Sequence, residues 1–281
     1  VTVSFKVAPQ FTGIPTGSAT VTASTGESCT GALSAGVGSC ALKFVTGGSR
    51  MLTAVYSGDS NFITSTSAAA TQVVSGISLS TTSLLFGNQL VGTTSATQQV
   101  TLANVGTTTL TINSIQWSAN FSDSNNCNGS LRPGASCRIN VRFVPTTTGV
   151  LTGTLTITDS DVTSPQVVTL TGTGVAPVLS LSVNVLPFGN QAVNTTSASQ
   201  TVLVSNTGTA PLIINNIALN GANPNQFTQN NNCPGTLAVG ASCTVNVAFR
   251  PRSRGNKSAN LNVNVAAPAT SKSVALTGTG I

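Results

Sequence analysis

The residues able to do chemistry are few, and their types exclude most of it. The chain of 281 residues has no histidine, and its only acids are Glu27, Asp59, Asp123, Asp159 and Asp161. Without an imidazole, no Ser-His-Asp or Cys-His arrangement can be assembled. A general acid–base pair would have to come from carboxylates, and only Asp159 and Asp161 lie close together in sequence. Strand alternation puts both on one side, but within TITDSDVTSP, which reads as a turn with no aromatic sugar platform beside it. The plainer reading of the pair is a solvated turn. It could hold one Ca²⁺ with help from backbone carbonyls, although calcium sites usually gather more than two carboxylates. No catalytic residue and no cofactor is expected, and the chain reads as non-enzymatic.

The six cysteines fall into three local pairs, Cys29/Cys40, Cys127/Cys137 and Cys233/Cys243. With no histidine and no C-x-x-C, this spacing reads as disulfides rather than zinc ligands, and it implies an oxidising compartment such as a periplasm, a cell surface or the medium. Each bridge closes a loop of roughly ten residues, which chain-entropy reasoning values at about 2–3 kcal/mol. The second pair lies in Asn126–Pro145, NCNGSLRPGASCRINVRFVP, which recurs as Asn232–Pro251, NCPGTLAVGASCTVNVAFRP. A looser version runs from Cys29 to Phe44. The recurrence predicts three copies of one stapled hairpin and hence three domains.

The net charge of +6 reflects missing acids more than abundant bases. Arg250, Arg252, Arg254 and Lys257 form the one basic cluster. At period two on a strand they would share a face. They read either as a patch for an anionic partner (surface polysaccharide, lipid headgroup or nucleic acid) or as a solubilising, edge-protecting set. No aromatic interleaves them, so base stacking is unsupported and no nucleic-acid partner is expected. In Tyr56–Phe62, YSGDSNF, Asp59 and Asn61 have the chemistry of an Asx turn. A Lys6–Asn61 isopeptide link would need a buried acid beside it, and Asp59 is the only nearby candidate. Asn120, Asn128, Asn194 and Asn256 begin glycosylation sequons, a number expected by chance in so Asn/Ser/Thr-rich a chain.

The elements that must carry these residues are strands. Apolar residues alternate with Thr and Ser, and no apolar run reaches the ~18 residues of a spanning helix. Residues 1–75 give strands at Val1–Val7, Ser18–Ala23, Met51–Tyr56 and Ser65–Val74. Residues 76–174 and 178–280 align with each other: Phe86-Gly87-Asn88-Gln89 with Phe188-Gly189-Asn190-Gln191, and Asn104-Val105-Gly106-Thr107 with Asn206-Thr207-Gly208-Thr209. A period of ~100 residues suits an Ig-sized sandwich. Strands are expected near 77–80, 84–86, 97–104, 109–117, 137–144, 150–158 and 166–172. The expected core is Val100, Leu102, Ile139, Val141, Phe143, Leu155, Ile157, Val168 and Leu170. Its counterparts are Val202, Val204, Val245, Val247, Phe249, Leu261, Val263, Val274 and Leu276. Parity breaks between Ile112 and Ile115, and between Ile214 and Ile217, predict a bulge or a short bend in each copy. The third domain also carries four extra residues before Phe227. Short joints at Val74-Ser75-Gly76 and Val175-Ala176-Pro177 leave little room for independent tumbling, so a semi-rigid rod is expected.

In residues 1–75 the pattern GIPTGSATVTA…C…C…LTAVYSGDSNF…STS resembles the bacterial Ig-like repeats that occur in tandem on large surface proteins. That family normally has one more strand before the one at Val1. In residues 76–280 the pattern F-G-x-Q…N-x-G-T…C-x9-C-x-x-x-V-x-F-x-P…L-T-G-T-G resembles the ASH (abnormal-spindle/hydin-like) family, which in bacterial surface proteins is the choice-of-anchor D repeat. The resemblance implies seven-stranded Ig-like sandwiches that bind or space and have no catalytic residues to carry over.

The expected fold is therefore all-β, three tandem immunoglobulin-like sandwiches: 1–75 bacterial Ig-like, then 76–174 and 175–281 of ASH type. The expected role is a secreted bacterial structural module on the cell surface, as a stalk, filament subunit or adhesin segment. Its expected partners are other copies of itself or other surface proteins. The alternative is a glycan- or surface-binding accessory module of a larger secreted enzyme. The chain opens on Val1 with no initiator Met or leader, which reads as a mature or cleaved product or as one from which earlier residues are missing. If Val1 is the true N-terminus, the missing first strand leaves an unpaired edge that would suit polymerisation by strand addition; the plainer alternative is that earlier residues were cut away.

Overall fold

A computed structural model describes residues 1–281, and strands dominate it throughout. The single helical element is a 3-10 turn, Pro224–Gln226, and no helix is long and apolar enough to cross a membrane. The chain forms two compact units. One comprises residues 1–84, 97–142 and 153–170, the other residues 85–96, 143–152 and 171–281.

In the first unit, Thr2–Lys6 pairs antiparallel with Val37–Ala41 as a two-stranded sheet. A second sheet is built on Gly48–Tyr56, which pairs with Ser18–Ala23 on one side and with Ser65–Thr66 and Ala70–Val74 on the other. Ser28–Ala32 extends that sheet beyond Ser18–Ala23. The strand expected over Ser65–Val74 is thus interrupted in the middle. The small core consists of Val21, Ala23, Cys40, Leu42 and Leu52, with Val3, Phe5, Cys29, Phe44 and Ala54 packed against it.

The same unit holds most of the middle repeat. Gln98–Asn104 lies between Ile77–Leu79 and Ser136–Phe143, and Leu110–Trp117 pairs with Gly149–Asp159 and with the short Ser130–Leu131. The expected alternation is present, with Val100, Leu102, Ile139, Val141, Leu155, Ile157, Val168 and Leu170 fully buried. Arg138 and Arg142 face outward.

In the second unit, residues 178–281 form two facing sheets. One has the strand order Leu179–Leu181, Gln200–Asn206, Ser242–Phe249, Phe227–Asn231. The other has the order Val185–Gln191, Lys272–Gly280, Gly255–Val265, Leu212–Asn220, Thr236–Leu237. Val185–Gln191 joins this sheet in parallel, against Lys272–Gly280. Val202, Val204, Val245, Val247, Phe249, Leu261, Val263, Val274 and Leu276 are all fully buried between the sheets. Phe227 stacks on Phe249 at a centroid distance of 4.8 Å. Both expected bulges occur, at Ile112/Ser114 and at Ile214/Asn216. Each lets the strand change which face it presents to the core.

The cysteine-bearing stretch is not a simple hairpin. Cys29 lies on a strand of the larger sheet of its domain and Cys40 on the two-stranded one, so their bridge joins two sheets. In the third domain, Cys233 follows Phe227–Asn231, which pairs with the strand bearing Cys243. The residues between the cysteines leave that sheet, pair as Thr236–Leu237 with Leu212–Ile213 of the other, and return. Leu237 is the physical reason: it is 2% exposed and belongs to the shared core. Ser130–Leu131 makes the same excursion between Cys127 and Cys137. Both short strands, and Phe121–Asn125 and Phe227–Asn231 before them, go beyond the strands expected from periodicity.

Candidate functional site

The few reactive side chains are dispersed, and no group of three or more His, Cys, Asp or Glu could hold a metal ion. Asp59 is consumed by its own turn. Its Oδ1 accepts from the backbone N–H groups of Asn61 and Phe62, both at 2.8 Å, and its Oδ2 from the Thr16 N–H at 2.7 Å and the Thr16 hydroxyl. The Thr16 and Asn61 N–H groups are the main reason its carboxyl is held far below the usual aspartate range. This is the Asx turn expected from the sequence. Lys6 and Asn61 are both exposed, which gives no buried environment for an isopeptide bond. An open depression of about 360 Å³ beside Phe11, Phe62 and Ile63 is lined without a single charged residue.

Where the structure does concentrate specific polar contacts is at the joints between domains. Each joint is received by the Asn-x-Gly corner of the repeat that follows. At the second joint, the N–H groups of Thr209 (2.8 Å) and Ala210 (3.2 Å) donate to the Ala176 carbonyl, and the Thr207 N–H donates to Val178 O at 2.9 Å. Asn206 organises this corner and is 1% exposed. Its Nδ2 donates to Ala210 O at 2.8 Å and Leu237 O at 3.1 Å, while its Oδ1 accepts from the Gly208 N–H at 3.0 Å. Gly208 has no room for a side chain, because a Cβ there would lie 2.4 Å from both Ala176 O and Val178 N.

The first joint repeats the scheme. The Val105 and Gly106 N–H groups donate to Gly76 O at 2.9 and 3.0 Å. Asn104, 3% exposed, donates to Thr108 O and Leu131 O, both at 2.8 Å, and accepts from the Gly106 N–H at 3.0 Å. Leu131 and Leu237 both lie inside the disulfide loops, so each bridge restrains one of the carbonyls its asparagine needs. Gly47 and Gly106 both approach the Gly76 backbone, at the edge of a cleft of about 170 Å³. Arg50, 6% exposed, folds the adjoining loop by donating to the carbonyls of Thr46 (3.0 Å) and Gly47 (3.1 Å), and to the Thr46 hydroxyl.

The first joint has one addition, and it overturns the reading of Asp159 and Asp161 as a solvated turn. Asp161 Oδ2 accepts from the Gly76 N–H at 2.8 Å, and its Oδ1 from the Thr163 N–H at 2.9 Å and the Thr163 hydroxyl at 2.5 Å. Burial pushes the Asp161 carboxyl up, but these donors outweigh it and hold the group below the ordinary aspartate range. Asp159 ends its strand at 5% exposure, with Oδ1 accepting from the Asp161 N–H at 2.8 Å and Oδ2 unpartnered. Burial therefore raises its pKa, and the neighbouring Asp161 charge adds to the rise. A calcium ion would have to displace the donors already on Asp161, and the pair gathers no third acid.

The basic cluster is also rearranged relative to expectation. Arg250, Arg252 and Arg254 lie in the connection between Ser242–Phe249 and Gly255–Val265, outside any strand. They therefore share no strand face. Pro251 and the left-handed Gly255 (φ 94°) interrupt the period-two path that the spacing suggests.

Three domain families match in tandem. Residues 1–75 match the bacterial Ig-like domain (group 3), residues 74–175 match Cep192 domain 4, and residues 177–280 match the HYDIN/CFA65/VesB-like Ig-like domain. No curated protein matches the chain in sequence. Among solved structures, it is similar to a protein of unknown function from Porphyromonas gingivalis W83, at 13% identity and a TM-score of 0.32 over 73% of this chain and 99% of that one. The ASH/PapD-like domain 7 of human CEP192 is similar at 15% identity and a TM-score of 0.31, over 36% of this chain and 86% of that one. The secreted serine protease VesC from Vibrio cholerae is similar at 15% identity and a TM-score of 0.30, over 85% of this chain and 70% of that one.

Proposed function

With three Ig-like domain matches in tandem as the premise, we propose that the chain is a non-enzymatic, extracellular structural module of a bacterial surface protein, serving as a stalk, filament subunit or adhesin segment. The observation that carries this reading is the build of the joints. Both linkers spend their backbone hydrogen bonds on the next repeat's Asn-x-Gly corner, through Gly76 O at one joint and Ala176 O at the other. A flexible tether would leave those groups to water. The three disulfides support an oxidising compartment.

The test is limited proteolysis of the intact, oxidised chain with a protease of broad specificity. The reading expects residues 74–78 and 174–178 to resist cleavage as well as the strands do. Early cutting at either joint would overturn it. The strand-addition variant of the idea uses the outer edge of Thr2–Lys6, which pairs only with Val37–Ala41. Sedimentation showing a monomer at every concentration would remove that variant alone. A second reading, an accessory binding module of a larger secreted enzyme, is favoured by the exposed Arg250, Arg252 and Arg254 of the third domain.

A further inference from the structure

The turn Arg250–Gly255 combines three exposed arginines with a backbone fixed on every side. The Arg250 N–H donates to Gln226 O at 2.7 Å, and the Arg252 N–H to Gln226 Oε1 at 2.5 Å. Pro251 O accepts from the Asn194 N–H at 2.7 Å, and Arg254 O from Lys257 Nζ at 2.9 Å. Gln226 is 8% exposed and ends the 3-10 turn Pro224–Gln226, which lies in the four-residue insertion particular to the third domain. From the same insertion, Asn223 grips the strand leaving the turn, donating to Ser258 O at 2.8 Å and accepting from the Ser258 N–H at 3.1 Å. The insertion thus braces both sides of the basic turn.

The arginines are not needed to make this turn. The middle repeat has Val144-Pro145-Thr146-Thr147-Thr148-Gly149 in the same place, with Pro145 buried like Pro251 and Gly149 left-handed (φ 104°) like Gly255. No hydrogen bond or ion pair engages the guanidinium groups of Arg250, Arg252 or Arg254. The domain itself has no acid to offer them: residues 162–281 contain five basic side chains (Arg250, Arg252, Arg254, Lys257, Lys272) and no Asp or Glu. Like charges held close together repel one another and favour a bound polyanion. No aromatic residue lies in 250–257 to stack on a base, and Phe249 and Phe227 beside it are buried. The turn offers lipid no exposed apolar side chain, because Pro251 is buried and the other residues are polar or glycine.

We propose that this braced turn is a docking site for an anionic polysaccharide, whose sulfate or carboxylate groups pair with Arg250, Arg252 and Arg254. The site belongs to the third domain alone and stands whether the whole chain acts as a stalk or as an accessory module.

The test uses the full chain on immobilised heparin, with phosphatidylglycerol vesicles and duplex DNA as separate arms. The principal variant is Arg250→Val/Arg252→Thr/Arg254→Thr, which installs the middle repeat's own residues in the turn. Retention of the wild-type chain at about 0.15 M salt, with at least tenfold weaker binding by the variant, is expected. A control, Arg138→Thr/Arg142→Thr, removes two exposed arginines of the middle repeat and should leave binding unchanged. The proposal is overturned if wild type is not retained, if the variant binds as well, if the control loses as much, or if vesicles or DNA bind more tightly than heparin. Should the principal variant fail to fold by circular dichroism, Arg252→Thr/Arg254→Thr carries the test on the same criteria.

Discussion

Gly76 and Asp161 stand 85 residues apart in sequence and 2.8 Å apart in space, the backbone N–H of the one donating to the carboxylate of the other. This contact has no counterpart at the second joint, where the residues matching Asp159 to Asp161 are Val265-Ala266-Ala267. Hydrogen bonds to a charged acceptor are stronger than neutral ones, so Asp161→Ala should cost the first joint about 1–2 kcal/mol. Native-state hydrogen exchange is the direct check. The Gly76 amide should exchange roughly tenfold faster in the variant, while the Thr209 amide at the other joint stays as it was. Equal acceleration at both joints would indicate a general loss of stability and contradict the assignment.

The two aspartates should pull the acid response in opposite directions. Asp161 has a lowered folded pKa, so its stabilisation is present above the unfolded value of about 3.9 and is lost as pH falls through the lower folded value. Asp159 has a raised folded pKa, so its contribution is present below the unfolded value and is lost as pH rises through the folded one. Acidification from neutrality should first raise the thermal midpoint slightly, as Asp159 takes a proton, and then lower it as Asp161 does. Asp159→Asn should remove the initial rise and Asp161→Asn should reduce the later fall. Asp59 shares in that fall, because its carboxyl is also lowered. Midpoints that fall from the start in wild type, with no effect of Asp159→Asn, would refute the sign assigned to Asp159.

Corresponding glycines at the two joints should respond differently to a methyl group. A Cβ on Gly208 would lie 2.4 Å from backbone atoms of both Ala176 and Val178, whereas one on Gly106 would meet its nearest neighbour, Asn104 Oδ1, at 3.3 Å. Gly208→Ala must therefore displace the linker, at an expected cost of about 2–3 kcal/mol, while Gly106→Ala should cost about 1 kcal/mol or less. Denaturation of the two variants side by side measures the difference. Equal costs would mean that the Ala176–Val178 linker yields freely.

Opening a disulfide should reach further than its loop. Cys233→Ser/Cys243→Ser frees a stretch with a sequence separation of 10, for an expected loss of about 2–3 kcal/mol. Because Leu237 O in that stretch accepts from Asn206 Nδ2, the Thr209 and Ala210 amides should also lose protection. Hydrogen exchange confined to residues 233–243 would show that the loop and the joint are uncoupled.

Much of this fold is readable from periodicity. Val245, Val247 and Phe249 alternate with polar neighbours, and burial on one face of a sheet demands that pattern. The bulges are equally legible, because Ile112 and Ile115 can face one core from a single strand only if an extra residue is inserted between them. The joints are not legible. Asn104 and Asn206 look like turn residues, and only the fold buries them against carbonyls 27 and 31 residues away. Asp161 looks like a turn acid for the same reason, since its partner, Gly76, lies 85 residues before it. The period-two arginines mislead because Arg250 to Arg254 fall in the connection between two strands rather than on either of them. The leucine between each cysteine pair escapes notice because a strand of two residues is too short to show a period.

The acid-free composition past Asp161 has a consequence for surroundings of changing acidity. Residues 162–281 contain no His, Tyr, Asp or Glu, and their two cysteines are bridged to each other. The stretch therefore lacks the side-chain types whose charge ordinarily changes between acid and neutral pH. The electrostatic face of this domain is constant from acid to neutral media, and dissolved ions, rather than protons, are what can tune it.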